Sequence, residues 1–313
     1  MGKIKTTLIK IFGSKTPDEK TPPKPTSLSV ASVVSDTLKQ INQDAYAIRS
    51  IAEKGVTLIA IADGVGSAAK PDEGSRFVAN KAVELLETVI RESQPLDYPK
   101  LFATLQQELD SMVTRKYGQT AGILADNALA TTLIIGVDTP DTFTVAYVGN
   151  GCAYYIPSDF IDFPDSYPMP WNVVNLLSPH SSLNSKTGRD EMFKFFGLRA
   201  DQNQSEPTVV TVWKDQKKGE VFIIATDGLA SADHVRFARR PGSNDLWMLS
   251  SEKVSMLCKD LRNCIKAKHV IADNLQEMLL DFIQTLKENE LMDDDITIGI
   301  VVSPKALEYC GQQ

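Results

Sequence analysis

Twice in this chain an apolar, β-branched run stops on Asp-Gly: "VTLIAIADG", Val56 to Gly64, and "EVFIIATDG", Glu220 to Gly228. Both runs read as strands. A single Asp-Gly is ordinary turn chemistry. Its recurrence behind two apolar strands asks for a fold that sets carboxylates on strand tips. Two more acid sites border strands: Asp44 in "INQDAYAI", and Asp293, Asp294 and Asp295 in "LMDDDITIGIVV".

The rest of the chain alternates strand-like and helix-like runs. "LSVASVVSD", "DAYAIRS", "NALATTLIIGVD", "DTFTVAYVGNGCAYYI", "WNVVNLLS", "TVVTVWKD" and "DITIGIVVS" read as strands. The segment Glu73–Ser93 changes period, with Val78, Ala82, Leu85, Leu86 and Val89 on one helical face. Further helices are expected over Tyr98–Tyr117, Ser251–Ala267 and Asn274–Asn289. Strands outnumber helices and many follow one another directly, which favours antiparallel sheet over a doubly wound parallel fold. The class expected is α+β. Residues 1–27 end in the Pro- and Lys-rich "KTPDEKTPPKPTS" and read as a flexible tail, whose first dozen residues form at most a short amphipathic helix. The expected organisation is therefore a tail over 1–27, one domain over 28–303 and a C-terminal tail over 304–313.

Composition excludes several classes. Of 313 residues 42% are hydrophobic, enough to bury a core, and the formal net charge of -7 argues against nucleic acid as partner. Cys152, Cys258, Cys264 and Cys310 form no CxxC pair, so buried thiols in a reducing compartment are expected rather than disulfides or a zinc knuckle. No run approaches a membrane span, and the basic N-terminus lacks the apolar length and cleavage site of a secretory signal. Stable membrane insertion is not expected, and the cytoplasm is the expected location.

If adjacent strands bring their tips to one rim, several carboxylates meet, and their repulsion is costly unless cations neutralise it. Oxygen donors without Cys or His favour Mg²⁺ or Mn²⁺. His180, His234 and His269 share no metal-ligand spacing. Behind Asp63, a glycine lets the Gly64 carbonyl approach a cation closely. Two ions sharing carboxylates would acidify a bridging water and aim it at an electrophile, of which phosphorus is the natural one. The chain has no GxSxG elbow, no GxxxxGK[ST] loop and no cysteine in a phosphate-loop setting.

At these residues the chain resembles the metal-dependent protein phosphatases, the type 2C serine/threonine family in its bacterial form, from about Leu28 to Ser303. "NQDAYAI" is similar to the family's N-E-D segment, "IADGVGS" to A-D-G-M-G-G, "IIATDGLAS" to S-D-G-L-[ST]-D, and "DDDITIGIVV" to D-N-[IV]-T-[VI]-x-[VL]-V. "ALATTLIIGV" looks like the G-T-T-A strand, and "VAYVGNGCAYYI" like the strand and turn around G-D-S-R. The resemblance implies a four-layer α-β-β-α sandwich, two central antiparallel sheets flanked by helices, with a binuclear centre at one end. It implies Asp44, Asp63, the Gly64 carbonyl, Asp227 and Asp294 as metal ligands, Asp63 bridging two ions, and Asp295 at the place of the usual asparagine. The substrate implied is a phosphorylated protein, the product of a serine/threonine kinase.

The chain also departs from the pattern. Lys39 stands where the family has its phosphate-contacting arginine, keeping the charge and losing the bidentate fork. Gln43 replaces the glutamate beside Asp44. Asn150 replaces the aspartate of G-D-S-R, which puts a third ion in doubt. "SAAKPDEGS" replaces the end of A-D-G-M-G-G-H, leaving no histidine there as proton donor. The expectation is hydrolysis of phosphoserine and phosphothreonine, with Asp63 and Lys39 as the catalytic pair. The alternative is a catalytically weak or inactive phosphatase-like module that binds phosphorylated partners; a small-molecule phosphoesterase is a third reading. "HVRFARRPGS", with Arg236, Arg239 and Arg240, is either a solvated loop or a recruiting surface for an acidic partner.

Overall fold

The structure is a computed structural model that describes residues 28–118, 128–158, 173–183, 185, 190–230, 236–239, 246–249, 252–267 and 270–311. The tail expected over 1–27, His234 and His269 lie outside them. The chain runs β1 (Val30–Asp36), β2 (Asp44–Ile51), β3 (Val56–Asp63), α1 (Pro71–Arg91), α2 (Tyr98–Tyr117), β4 (Leu133–Asp138), β5 (Thr142–Val148) and β6 (Cys152–Pro157). Then come β7 (Val174–Asn175), β8 (Ser181–Leu183), β9 (Asp190–Met192), α3 (Gln202–Ser205), β10 (Thr208–Trp213), β11 (Glu220–Ala225), β12 (Arg236–Arg239) and β13 (Leu246–Leu249). The last elements are α4 (Glu252–Lys266), α5 (Ala272–Glu288), β14 (Ile296–Val302) and α6 (Pro304–Gly311).

Ten strands make two five-stranded sheets, ordered β1-β14-β11-β6-β7 and β10-β5-β4-β3-β2; β8-β9 and β12-β13 are separate hairpins. Every pairing is antiparallel. The apolar runs are continuous because the central strands are buried on both faces. Along β3, Leu58, Ala60 and Ala62 face α1 and α2, while Ile59 and Ile61 face the other sheet. Along β11, Val221, Ile223 and Ala225 face α4 and α5, while Phe222 and Ile224 face inward, where Phe222 stacks on Phe143 of β5 with centroids 3.8 Å apart. Three cores thus separate four layers, and the expected α-β-β-α sandwich is confirmed.

Three local differences bear on the site. "DTFTVAYVGNGCAYYI", expected as one strand-like unit, is two strands in different sheets: the chain crosses over at Gly149-Asn150-Gly151, whose glycines take φ of 96° and 112°. Among the described residues of "WNVVNLLS", 173–178, Val174–Asn175 pairs as a strand. Residues 304–313, expected as a tail, include helix α6, which buries Ala306 and Cys310. All four cysteines are free. Among the described residues no helix is long and apolar enough to cross a membrane.

The two Asp-Gly glycines are fixed by close approach. A Cβ on Gly64 would meet the carbonyl oxygen of Pro71, the first residue of α1, at 2.6 Å, and one on Gly228 would meet the Asp295 carbonyl oxygen at 2.0 Å. Each glycine lets a second backbone cross directly behind a strand-tip aspartate. Gly228→Ala forces the β11 tip and the Asp294-Asp295 segment apart, and is expected to cost about 3 kcal/mol in urea unfolding; a loss below about 1 kcal/mol would mean that the crossing yields freely.

Candidate active site

Asp44 opens β2 and Asp63 closes β3, and the two are direct partners in the antiparallel register. Their side chains therefore leave the same face of the pair, with Cβ atoms about 5 Å apart. Asp227 follows the end of β11, and Asp294 and Asp295 precede β14, its neighbour in the opposite sheet. The two sheets thus bring four of the sequence's acid sites to one end of the sandwich.

Two threonines from the opposite sheet hold Asp44. The hydroxyls of Thr226 and Thr297 each donate to its Oδ2 at 2.8 Å, while its buried Oδ1 has no hydrogen-bond donor among the described residues. Burial raises the Asp44 carboxyl to about 7, against the opposing pull of those hydroxyls. Asp63 is gripped through its backbone: its N–H donates to Thr132 Oγ1 at 3.0 Å, and its carbonyl accepts from the Thr131 hydroxyl at 2.8 Å. Burial, and then repulsion from Asp44 and Asp227, pushes its carboxyl well above the usual range. Asp227 is raised by burial and by Asp294, and Asn150 Nδ2 offsets this by donating to its Oδ2 at 2.7 Å.

The "DDD" acids divide three ways. Asp294 is half-exposed, and its Oδ1 lies 2.6 Å from the Lys39 ammonium. Asp295 is buried; it accepts from the Thr37 hydroxyl, the Gln43 N–H at 2.9 Å and Lys39 at 3.3 Å, and so fixes the loop between β1 and β2. Burial opposes the charge on Lys39, but Asp294 and Asp295 outweigh it and raise its pKa. Asp293 is held by Lys253 of α4, whose buried ammonium reaches Asp293 Oδ1 at 2.5 Å and the Gly228 carbonyl at 2.9 Å.

The structure thus places Asp44, Asp63, Gly64, Asp227, Asp294 and Lys39 at one rim. Gly64 donates its N–H to the Gln43 carbonyl, and the bridge to Thr131 uses the Asp63 and Val65 peptides on either side of it, so its own carbonyl takes no part in that bridge. Sequence reasoning missed Thr226, Thr297 and Lys253. Thr226 and Thr297 lie inside quoted motifs, but nothing in a strand sequence shows that a hydroxyl reaches across to the facing sheet. Lys253 begins a helix with no motif of its own. Its loss should loosen both acid-bearing segments together. Lys253→Met is expected to weaken Mn²⁺ binding about tenfold by calorimetry, as for other residues that orient ligands; unchanged Mn²⁺ affinity would make Lys253 a purely structural residue.

His180, far from these acids in sequence, stacks on Tyr147 with centroids 4.8 Å apart and accepts the Gly149 N–H at Nδ1, 3.2 Å away. Burial, with Lys194 nearby, lowers its pKa to about 4, so the ring is neutral and buttresses the turn that carries Asn150.

Two helix-flanked antiparallel sheets are the fold this chain shares with solved serine/threonine phosphatases. A family model described as Protein phosphatase 2C matches residues 37–280, and the chain belongs to that family. Among solved structures it is similar to a bacterial serine phosphatase, with 16% identity over 87% of this chain and 96% of that one and a TM-score of 0.58. It is similar also to the serine/threonine phosphatase Stp1 from Staphylococcus aureus, with 15% identity, 91% and 98% coverage and a TM-score of 0.57. The catalytic domain of the serine/threonine protein phosphatase PstP in complex with 2 manganese ions matches with 15% identity, 88% and 99% coverage and a TM-score of 0.53. At these identities the likeness is one of fold. No curated protein matches the sequence.

Proposed function

We propose that the chain hydrolyses phosphoserine and phosphothreonine in proteins, using two Mg²⁺ or Mn²⁺ ions held by Asp44, Asp63, the Gly64 carbonyl, Asp227 and Asp294. The observation that carries this reading is the buried, donor-less Oδ1 of Asp44 facing a second, half-buried carboxylate, Asp63, across one strand pair. Such a group is stable only with a proton or a cation beside it. The donor set is all oxygen, which suits a hard ion. When bound, the ions supply Lewis acidity toward phosphoryl oxygens and acidify the attacking water.

The chain's own residues do the rest. Thr226 and Thr297 donate to Oδ2 of Asp44 and leave its Oδ1 as the oxygen available to a cation. Thr131 and Thr132 fix the backbone of Asp63, so that its side chain is aimed by the sheet rather than by a loop. Lys39 stands half-exposed at the rim and offers a phosphoryl oxygen a point charge in place of a two-pronged fork. Asn150 donates to Asp227 where a third carboxylate would bring another charge, which favours two ions over three. Residues 28–303 would carry this activity, on substrates phosphorylated by a serine/threonine kinase in the cytoplasm.

One observation favours the second reading, a weak or inactive module that binds phosphorylated partners. Among the described residues no three His, Cys, Asp or Glu side chains are arranged to hold an ion, and Asp294 would join the others only by leaving Lys39. Hydrolysis of a phosphothreonine peptide with Mn²⁺ separates the two, with Asp227→Ala as control. Turnover by the wild type and not by the variant supports the enzyme; equal rates sink it. Retained peptide binding without Mn²⁺ binding would establish the module.

A further inference from the structure

Asp44 opens a strand that has a free side. The sheet ends at β2, and among the described residues no strand pairs with its outer edge. The register tells which backbone groups lie on that edge. The Asp44 N–H donates to the Asn42 side chain at 2.9 Å and the Asp63 N–H to Thr132, while the Gly64 N–H bonds the Gln43 carbonyl. Asp44 and Asp63 are therefore a pair that exchanges no ladder bonds, and by the alternation of antiparallel strands so are Tyr46–Ile61 and Ile48–Ile59. The N–H and C=O groups of Tyr46 and Ile48 point away from β3.

Side chains repeat every second residue, so Tyr46 and Ile48 share the face of Asp44, about 7 and 14 Å along the strand. Both are exposed, whereas Ala45 and Ala47 on the other face pack against the helices. Arg49 lies on that other face too, 3.2 Å from Glu87 of α1. Free edges are usually blunted by a charge, a proline or a bulge. Beyond Asp44, this face of β2 has none of them, and its register is unbroken.

The loop before β2 lengthens the strip. Leu38 and Ile41 flank Lys39 and are each more than half exposed. Yet the loop is tied down: the Thr37 hydroxyl and the Gln43 N–H donate to Asp295, the Lys39 N–H to Thr37 Oγ1 at 2.8 Å, and Asn42 Nδ2 to Ser35 Oγ at 2.9 Å. Leu38, Ile41, Tyr46 and Ile48 thus form an exposed apolar strip on fixed backbone that runs past Lys39 and Asp44. Single exposed apolar side chains need no explanation, but a run of them beside a free strand edge marks a docking surface. A substrate whose phosphate sits at the rim already has its chain at the start of this edge, so its neighbouring residues meet β2 at high effective concentration. A second copy of the chain has no such anchor.

We propose that the free edge of β2 takes up an extended segment of the phosphoprotein substrate as an added strand. Its main chain pairs with the Tyr46 and Ile48 peptides, and apolar side chains two and four residues from the phosphorylated one lie on Tyr46 and Ile48. Main-chain pairing gives affinity, and alternate side chains give preference. The position of the phosphate rests on the phosphatase reading of the rim.

Fluorescence anisotropy with the metal-free full chain tests the strip without turnover. The probes are labelled phosphothreonine peptides of one composition, with two valines at the second and fourth places, or at the first and third, on either side of the phosphothreonine. One second-and-fourth peptide is expected to bind about tenfold more tightly than its first-and-third counterpart, and the side on which it does so reports the strand direction. N-methylation should weaken that peptide about tenfold in one register and leave it unchanged in the next, because only every second N–H faces β2. Ile48→Lys, or Tyr46→Lys if the first proves unfolded by circular dichroism, should erase the valine preference. Val209→Lys, an exposed position on the free edge of β10, should keep it. Equal affinity for both valine patterns, methylation without effect in either register, or no saturable binding up to about 1 mM overturns the proposal. So does a dimer in sedimentation velocity that Ile48→Lys dissociates, which would give the edge to a second copy. Hydrolysis of p-nitrophenyl phosphate with Mn²⁺ by the wild type checks the rim separately, since that substrate has no main chain: its absence would count against the phosphatase reading and leave the peptide result standing.

Discussion

Asp63→Asn is expected to reduce Mn²⁺-dependent hydrolysis of a phosphothreonine peptide by at least about 10³-fold, or about 4 kcal/mol of transition-state stabilisation, while raising the melting temperature of the metal-free protein at pH 8. Both effects follow from one placement. Asp63 lies between Asp44, its partner across β2 and β3, and Asp227, at the tip of the facing sheet, and both repel its charge. An amide removes that repulsion and also removes the central charge that would draw two cations together. The residues that position Asp63 act on its backbone, so the variant keeps its place in β3. Paired assays of initial rate and thermal unfolding decide the matter. A variant that keeps a tenth of wild-type activity, or that melts lower without metal, would show that Asp63 is not the central acid.

The layer order was legible because each apolar run carried its own instruction. "VTLIAIAD" and "EVFIIA" are the central strands, apolar on both faces, and the stripe of Leu275, Leu279, Phe282, Ile283 and Leu286 marks a helix made to cover a sheet. The crossover at Gly149–Gly151 was hidden because both flanking strands are equally apolar, so nothing in their pattern says that they enter different sheets. Helix α6 was hidden because eight residues are too few to show a helical period clearly, and its burial is set by the β11 and α4 surfaces it meets.

The acids themselves could be read from the sequence, since strand-tip aspartates followed by glycine stand out. Their separate environments could not. Asp294 and Asp295 look interchangeable in "DDD", yet one is half-exposed against Lys39 and the other is a buried anchor for the Gln43 peptide. The sequence explains Gly64 by the freedom of a bare carbonyl; the structure adds a steric demand, the passage of Pro71 behind it. Partners from another sheet, such as Thr297 for Asp44, are separated by 253 residues and leave no local trace.

The second large effect couples pH to metal. Asp44 titrates at about 7 in the folded chain and near 3.8 in a free one. Between those values the folded protein holds a proton that the unfolded chain has released, so stability is full below about 3.8 and is lost as pH rises toward 7. At pH 8 the loss from this one carboxylate is on the order of 4 kcal/mol. His180 acts in the opposite sense: its pKa falls from 6.5 to about 4, so its contribution is present above 6.5 and is lost as pH falls. The comparison that isolates Asp44 is therefore wild type minus Asp44→Asn, which shares His180. Urea unfolding from pH 4 to 8 without metal should show the variant gaining on the wild type as pH rises. A cation replaces the proton, so Mn²⁺ at about a hundred times its dissociation constant should restore about 2.7 kcal/mol. The gain should be larger at pH 8 than at pH 5.5, and most of it should vanish in the variant. If the difference curve is flat, or if Mn²⁺ stabilises Asp44→Asn as much as wild type, the buried Oδ1 of Asp44 faces no cation.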